Sequence, residues 1–106
     1  MGMTMKKRLN EKVVCSDGFT MSVQADEFHY CEPRYTDADE YTQVEVGFPS
    51  IPEDLFMEYA EDPDNPTGTV YAYVPSALVC AVIVKHGGVV SGELPKGIPS
   101  IPPELL

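Results

Sequence analysis

Apolar and polar positions alternate over residues 19–25, which puts Phe19, Met21, Val23 and Ala25 on one face. Period-two alternation of this kind predicts a strand with one buried side. Asp17-Gly18 just before it is a turn signal and residues 12–15 read as extended, so residues 15–25 form a predicted β-hairpin. The alternation returns over residues 41–48, with Val44, Val46 and Phe48 on one face and Gln43 and Glu45 on the other; Pro49 closes it. Residues 69–74 are β-branched and aromatic, a further strand. Residues 29–31 suggest a short strand before Pro33, and Val89-Val90 begins a last one.

Two segments break the alternation. Ser50-Ile51-Pro52-Glu53 fits a capping box with a proline near the first helical turn. A short helix to about residue 60 follows, with Leu55, Phe56 and Tyr59 predicted inward. Residues 77–84 are apolar almost all round, so periodicity does not separate helix from buried strand. Pro75-Ser76 before the run, Lys85-His86 at its end and Gly87-Gly88 beyond it favour helix. The β-branched Val79, Val82, Ile83 and Val84 count against it.

The predicted fold is α+β: an antiparallel sheet of four or five strands with one main helix at about 75–86 packed on one face. Residues 1–94 form the single domain, and residues 95–106 a tail with four prolines in nine residues, unsuited to regular structure beyond polyproline-like turns. Its Ile98, Ile101, Leu105 and Leu106 are available to pack on the domain or on a partner. At 106 residues and 43% hydrophobic the chain holds one modest core. Its longest apolar run is eight residues, too short for a membrane helix. The N-terminal basic cluster has no apolar stretch behind it and does not read as a secretory signal.

Charge changes the picture more than composition does. Residues 26–64 hold thirteen carboxylates and one basic residue, Arg34, a local charge of −12 against −10 for the whole chain. Lys6, Lys7, Arg8 and Lys12 form an opposite pole. A field of that sign repels phosphate backbones and attracts cationic protein surfaces. Direct nucleic-acid binding is therefore not expected.

Candidate chemistry is sparse. His29 and Cys31, one residue apart, allow a metal site to be drawn, but zinc sites use paired ligands twice over. A packed thiol beside a half-exposed histidine accounts for them more simply. Cysteine–histidine pairs can be drawn from Cys31 with His86 or Cys80 with His29, without a surrounding nucleophile motif. Cys80 sits in the apolar run and reads as inert core. The odd count of three cysteines without paired spacing predicts free thiols. Lys85-His86-Gly87-Gly88 reads as a helix stop rather than a phosphate loop. The acidic stretches lack the twelve-residue calcium loop. No catalytic residue, metal or cofactor is assigned.

The stretches KKRLNEKVVCSDGFTMSVQA at 6–25, YTQVEVGFPS at 41–50, YAEDPDNPTGTVYAYVP at 59–75 and VKHGG at 84–88 cover about half of the chain. Taken together they resemble small uncharacterised proteins of tailless single-stranded-DNA bacteriophages, the gokushovirus-type microviruses. The resemblance implies a protein of the bacterial host cytoplasm and carries over no active site.

The functional expectation is a non-enzymatic binding protein. Its acidic face, Asp37, Asp39, Glu40, Glu45, Glu53, Asp54 and Glu58, engages a basic protein surface, such as that of a nucleic-acid-binding protein, by imitating spaced phosphates. Phe48, Leu55, Phe56 and Tyr59 supply apolar contacts that convert electrostatic steering into affinity. The alternative is an oligomeric structural or assembly protein that uses the tail and Leu105-Leu106 as an interaction arm. Solubilising surface alone is the bland reading of the same charges.

Overall fold

The computed structural model describes residues 8–106. The basic pole at Lys6 and Lys7 lies outside the described residues. Five antiparallel strands form one sheet: β1 (Val13–Cys15), β2 (Thr20–Gln24), β3 (Gln43–Gly47), β4 (Val70–Pro75) and β5 (Val89–Ser91), in the order β4-β3-β2-β1-β5. The main helix α1 (Ser76–Lys85) runs between β4 and β5. Two short 3-10 helices complete the fold, η1 (Asp54–Tyr59) and η2 (Pro103–Leu105). The architecture is the predicted α+β arrangement.

The alternating positions became the inner face of the sheet. Val13, Cys15, Met21, Val23, Val44, Val46, Tyr71 and Val74 are buried there, covered by Val79, Val82 and Ile83 of α1 and by Phe56 of η1. Helix won over strand at residues 76–85 because the ends are well specified. Gly87 N–H donates to Val84 O at 3.1 Å and Gly88 N–H to Ile83 O at 2.9 Å, with Gly87 at φ +89°. That pair of bonds is a Schellman stop, which needs a residue tolerant of the left-handed region. At the other end Ser76 N–H donates to Thr42 O and its hydroxyl to Tyr41 O, tying the first turn to the start of β3.

Several local expectations shift. Residues 29–31 are not a strand; only an isolated bridge, Glu32 to Gln43, pairs beside a cis Glu32–Pro33 bond. The short helix predicted to run to about residue 60 forms as the 3-10 helix η1, with three residues per turn. The capping partner also changes: Glu53 is the N-cap and accepts the Leu55 N–H itself. Ser50 pairs with β2 instead, its N–H donating to Thr20 O and its hydroxyl accepting the Thr20 N–H.

From Pro95 onward the chain lies on the domain. Ile98 is buried in the core, Ile101 packs against it, and the Ile101 carbonyl accepts the Val89 N–H of β5. A side chain at Gly88 would place its Cβ 2.7 Å from Pro103 N, so the glycine also admits this crossing. Leu105 and Leu106 remain exposed. Among the described residues no helix is long and apolar enough to cross a membrane.

Candidate functional site

Where β3 ends, the chain turns out of the sheet at Phe48, which has φ +52°. L-residues with large side chains rarely adopt this region. The Phe48 N–H is held by Thr69 O at 3.0 Å and the next anchor is the Ser50–Thr20 pair. Between and after these anchors the chain presents a line of exposed residues, the ridge. Phe48, Ile51 and Leu55 are 48%, 53% and 42% exposed, although all three are large and apolar.

The 3-10 geometry explains which ridge residues point out. At three residues per turn, positions i and i+3 eclipse. Phe56 and Tyr59 therefore share a face, and Phe56 is fully buried against Tyr71 with ring centroids 5.9 Å apart. Leu55 and Glu58 share a second column and Asp54 starts the third, and all three are exposed. The following loop adds exposed Glu61, Asp62 and Asp64, and it is ordered by its own bonds. Glu61 N–H donates to Val70 O, Asp62 N–H to Thr69 Oγ1, Asn65 N–H to Asp62 O, and the Tyr71 hydroxyl to Pro66 O. Residues 48–69 contain no Lys, Arg or His.

Beneath the ridge lies an ionic network that the sequence reading missed. The carboxylate of Glu53 is 1% exposed. Its Oε1 meets His86 Nε2 at 2.7 Å; its Oε2 accepts from Lys85 Nζ at 2.7 Å and from the Leu55 N–H at 3.0 Å. The other ring nitrogen of His86, Nδ1, meets Asp17 Oδ2 at 2.7 Å, and the ring stacks flat on Phe19 at 4.0 Å. Each ring nitrogen of His86 thus meets one carboxylate, and the ring bridges Glu53 and Asp17. Lys85 and His86 stand at the C-terminal end of α1, where the helix dipole favours cations.

Burial by itself pushes the Glu53 carboxyl up, but the bonds from Lys85, Leu55 and His86 outweigh it and hold it below the ordinary glutamate range. Asp17 is held low first by the Phe19 N–H and then by His86. The two carboxylates occupy opposite edges of one ring and do not converge. Among the described residues no group of three or more His, Cys, Asp or Glu side chains is arranged to hold a metal. With both nitrogens engaged, His86 has no free edge for proton transfer to a substrate.

The other candidate residues are likewise committed. His29 Nδ1 meets Asp26 Oδ1 at 2.6 Å, and Cys31 Sγ donates to the carbonyls of Asp26 and Pro33 at 3.2 and 3.5 Å. The two side chains thus serve the 26–33 turn. Burial raises all three thiols, Cys15 to about 11. Cys80 is only half-buried rather than core.

Of the predicted surface residues, Glu53 and Phe56 are not on the surface at all. Glu53 is drawn inward by its bonds to Lys85 and His86, and Phe56 is the inward position of η1. Asp54, Glu58, Phe48 and Leu55 are all exposed along the ridge segment, and Tyr59 is half-buried. Asp37, Asp39 and Glu40 precede β3 whereas the ridge follows it, a separation of about 17 Å for a five-residue strand. Glu45, between them, is half-buried and accepts the Tyr30 N–H at 2.9 Å. The seven carboxylates therefore do not form one face. The exposed Ile51, Glu61, Asp62 and Asp64, absent from the predicted set, join the ridge instead.

Comparison with protein-family models, curated proteins and solved structures finds no match for this chain.

Proposed function

We propose that this is a non-enzymatic binding protein whose ridge, residues 48–64, engages a basic surface of another protein. The observation that carries the reading is the combination within one short segment of Phe48, Ile51 and Leu55, exposed, with exposed Asp54, Glu58, Glu61, Asp62 and Asp64 and no base. Apolar anchors within a charged rim are the chemistry of interface hot spots. The carboxylates attract a cationic partner from a distance, and the three apolar side chains hold it on contact. Anchoring to β2, β4 and α1 leaves little ordering entropy to lose on binding.

In the setting suggested by the phage resemblance, the partner is a host or phage protein of the bacterial cytoplasm, and a nucleic-acid-binding surface fits the charge best. Arrayed carboxylates occupy such a surface in place of phosphates, which makes the protein an inhibitor. The test is capture from bacterial lysate at low and high salt, with the wild type and two ridge variants. Asp54→Lys with Glu58→Lys removes steering; Phe48→Ser with Leu55→Ser removes the anchors. A partner held by the wild type and lost by both variants supports the reading, and equal capture by all three refutes it.

The second reading, an oligomeric assembly protein, rests on the exposed Leu105 and Leu106 at the end of η2. It requires self-association that truncation of these two residues abolishes, measured by sedimentation.

A further inference from the structure

Opposite β3, the edge strand β4 contains a bulge. Val44 pairs with Val74 and Val46 with Tyr71, so two steps on β3 face three on β4. The extra residue is accommodated at Tyr73, which has φ +54°. A left-handed residue in a bulge is ordinarily glycine, because a side chain there is crowded by its own backbone. Here it is an aromatic, 41% exposed. Backbone strain held by a side chain that packs no core is a pointer to a use for that side chain.

The neighbours of Tyr73 show what that use is. Its N–H donates to Tyr30 O at 3.1 Å, and the two rings sit 5.8 Å apart, tilted by 40°. The Arg34 guanidinium carbon lies 5.1 Å from the centre of the Tyr30 ring. Arg34 is the single Lys or Arg in residues 26–64, and its guanidinium rests on this ring. Glu45 is fixed at the Tyr30 N–H, and Glu27 and Glu32 are exposed on the same stretch. Aromatic faces bordered by carboxylates attract cations and repel phosphate.

We infer that the Tyr30–Tyr73 pair is a second binding site, which takes a guanidinium or ammonium side chain of a basic polypeptide, with Arg34 as the resident cation that the incoming one displaces. Arg34 keeps the site closed to weak cations and yields to an arginine-rich segment steered in by the surrounding acids. The site is separate from the ridge. Thr69, which holds Phe48, is four residues from Tyr73, about 13 Å along the strand.

The experiment is titration of the full chain with an acetylated, amidated hexa-arginine peptide, followed by the ring resonances of the tyrosines. Removing the resident cation with Arg34→Gln should tighten binding roughly two- to five-fold. Lys12→Gln makes the same change in net charge at the far side of the sheet, before β1, and should tighten it less. Tyr73→Gly keeps the backbone conformation, so the fold survives while binding weakens by a similar factor. Shifts of the Tyr30 and Tyr73 rings, unaltered by Asp54→Asn with Glu58→Gln on the ridge, support the inference. Equal tightening by Arg34→Gln and Lys12→Gln, or unmoved Tyr30 and Tyr73 rings, overturns it and leaves the proposal for the ridge untouched.

Discussion

Glu53 and His86 stand 33 positions apart in the chain and meet at 2.7 Å, Oε1 to Nε2, in the buried layer between η1 and the end of α1. The contact fastens the N-cap of η1, within the ridge segment, to the C-cap of α1. A single carboxylate thus caps η1, pairs with Lys85 and orients His86 toward Asp17. The ridge owes its fixed shape to a side chain that no partner can reach.

Replacing that carboxylate should be severe. Glu53→Gln keeps the size of the side chain but removes the buried negative charge that faces Lys85 and His86. Breaking one side of a buried pair costs about 3–5 kcal/mol. Urea unfolding should show a loss of that order, with the slope unchanged.

The same network predicts an acid dependence. The Glu53 and Asp17 carboxyls are lowered in the folded protein, so their contribution is complete above the unfolded values, about 4. It is lost as pH falls through the folded values. Wild-type Tm should therefore fall steeply below about pH 4, and the gap to Glu53→Gln should narrow over the same range. A gap independent of pH would show that ionisation of Glu53 contributes nothing.

Much of the fold was legible because its signals are local. The alternation at 19–25 and 41–48 marks β2 and β3, and the Gly87-Gly88 pair marks the helix stop. The site was less legible because its decisive facts are not local. Ser50-x-x-Glu53 reads as a surface capping box; only Lys85 and His86, brought close by the β4–α1 connection, pull Glu53 inward. The one sequence signal was that pair of bases standing alone after the long acidic stretch. Leu55 and Phe56 were not separated because an α-helical period buries both, whereas the 3-10 turn buries one.

Phe48 offers a test of whether the ridge is shaped for binding. Its left-handed backbone costs an L-residue about 1–2 kcal/mol, and glycine relieves that while losing roughly 0.5–1 kcal/mol of chain entropy. Phe48→Gly should leave stability within about 1 kcal/mol of wild type and weaken partner binding. Thermal unfolding and capture measured on the same preparation separate the two effects.

The thiols give an independent check on burial. With its pKa raised to about 11, Cys15 is thiolate in roughly a thousandth of molecules at pH 8. In the native protein Cys80, half-buried, should react first with an aromatic disulfide reagent, and Cys15 and Cys31 only on unfolding. Three groups should titrate in denaturant.

The central claim is that the ridge carries the binding. Its most direct test is a chemical-shift map of the isotopically labelled chain titrated with the captured partner. Perturbation should concentrate at Phe48, Ile51, Asp54, Leu55 and Glu58 and across residues 61–64, and should weaken as salt is raised. Shifts confined to residues 37–40 or to the outer face of α1, with the ridge unmoved, would contradict it.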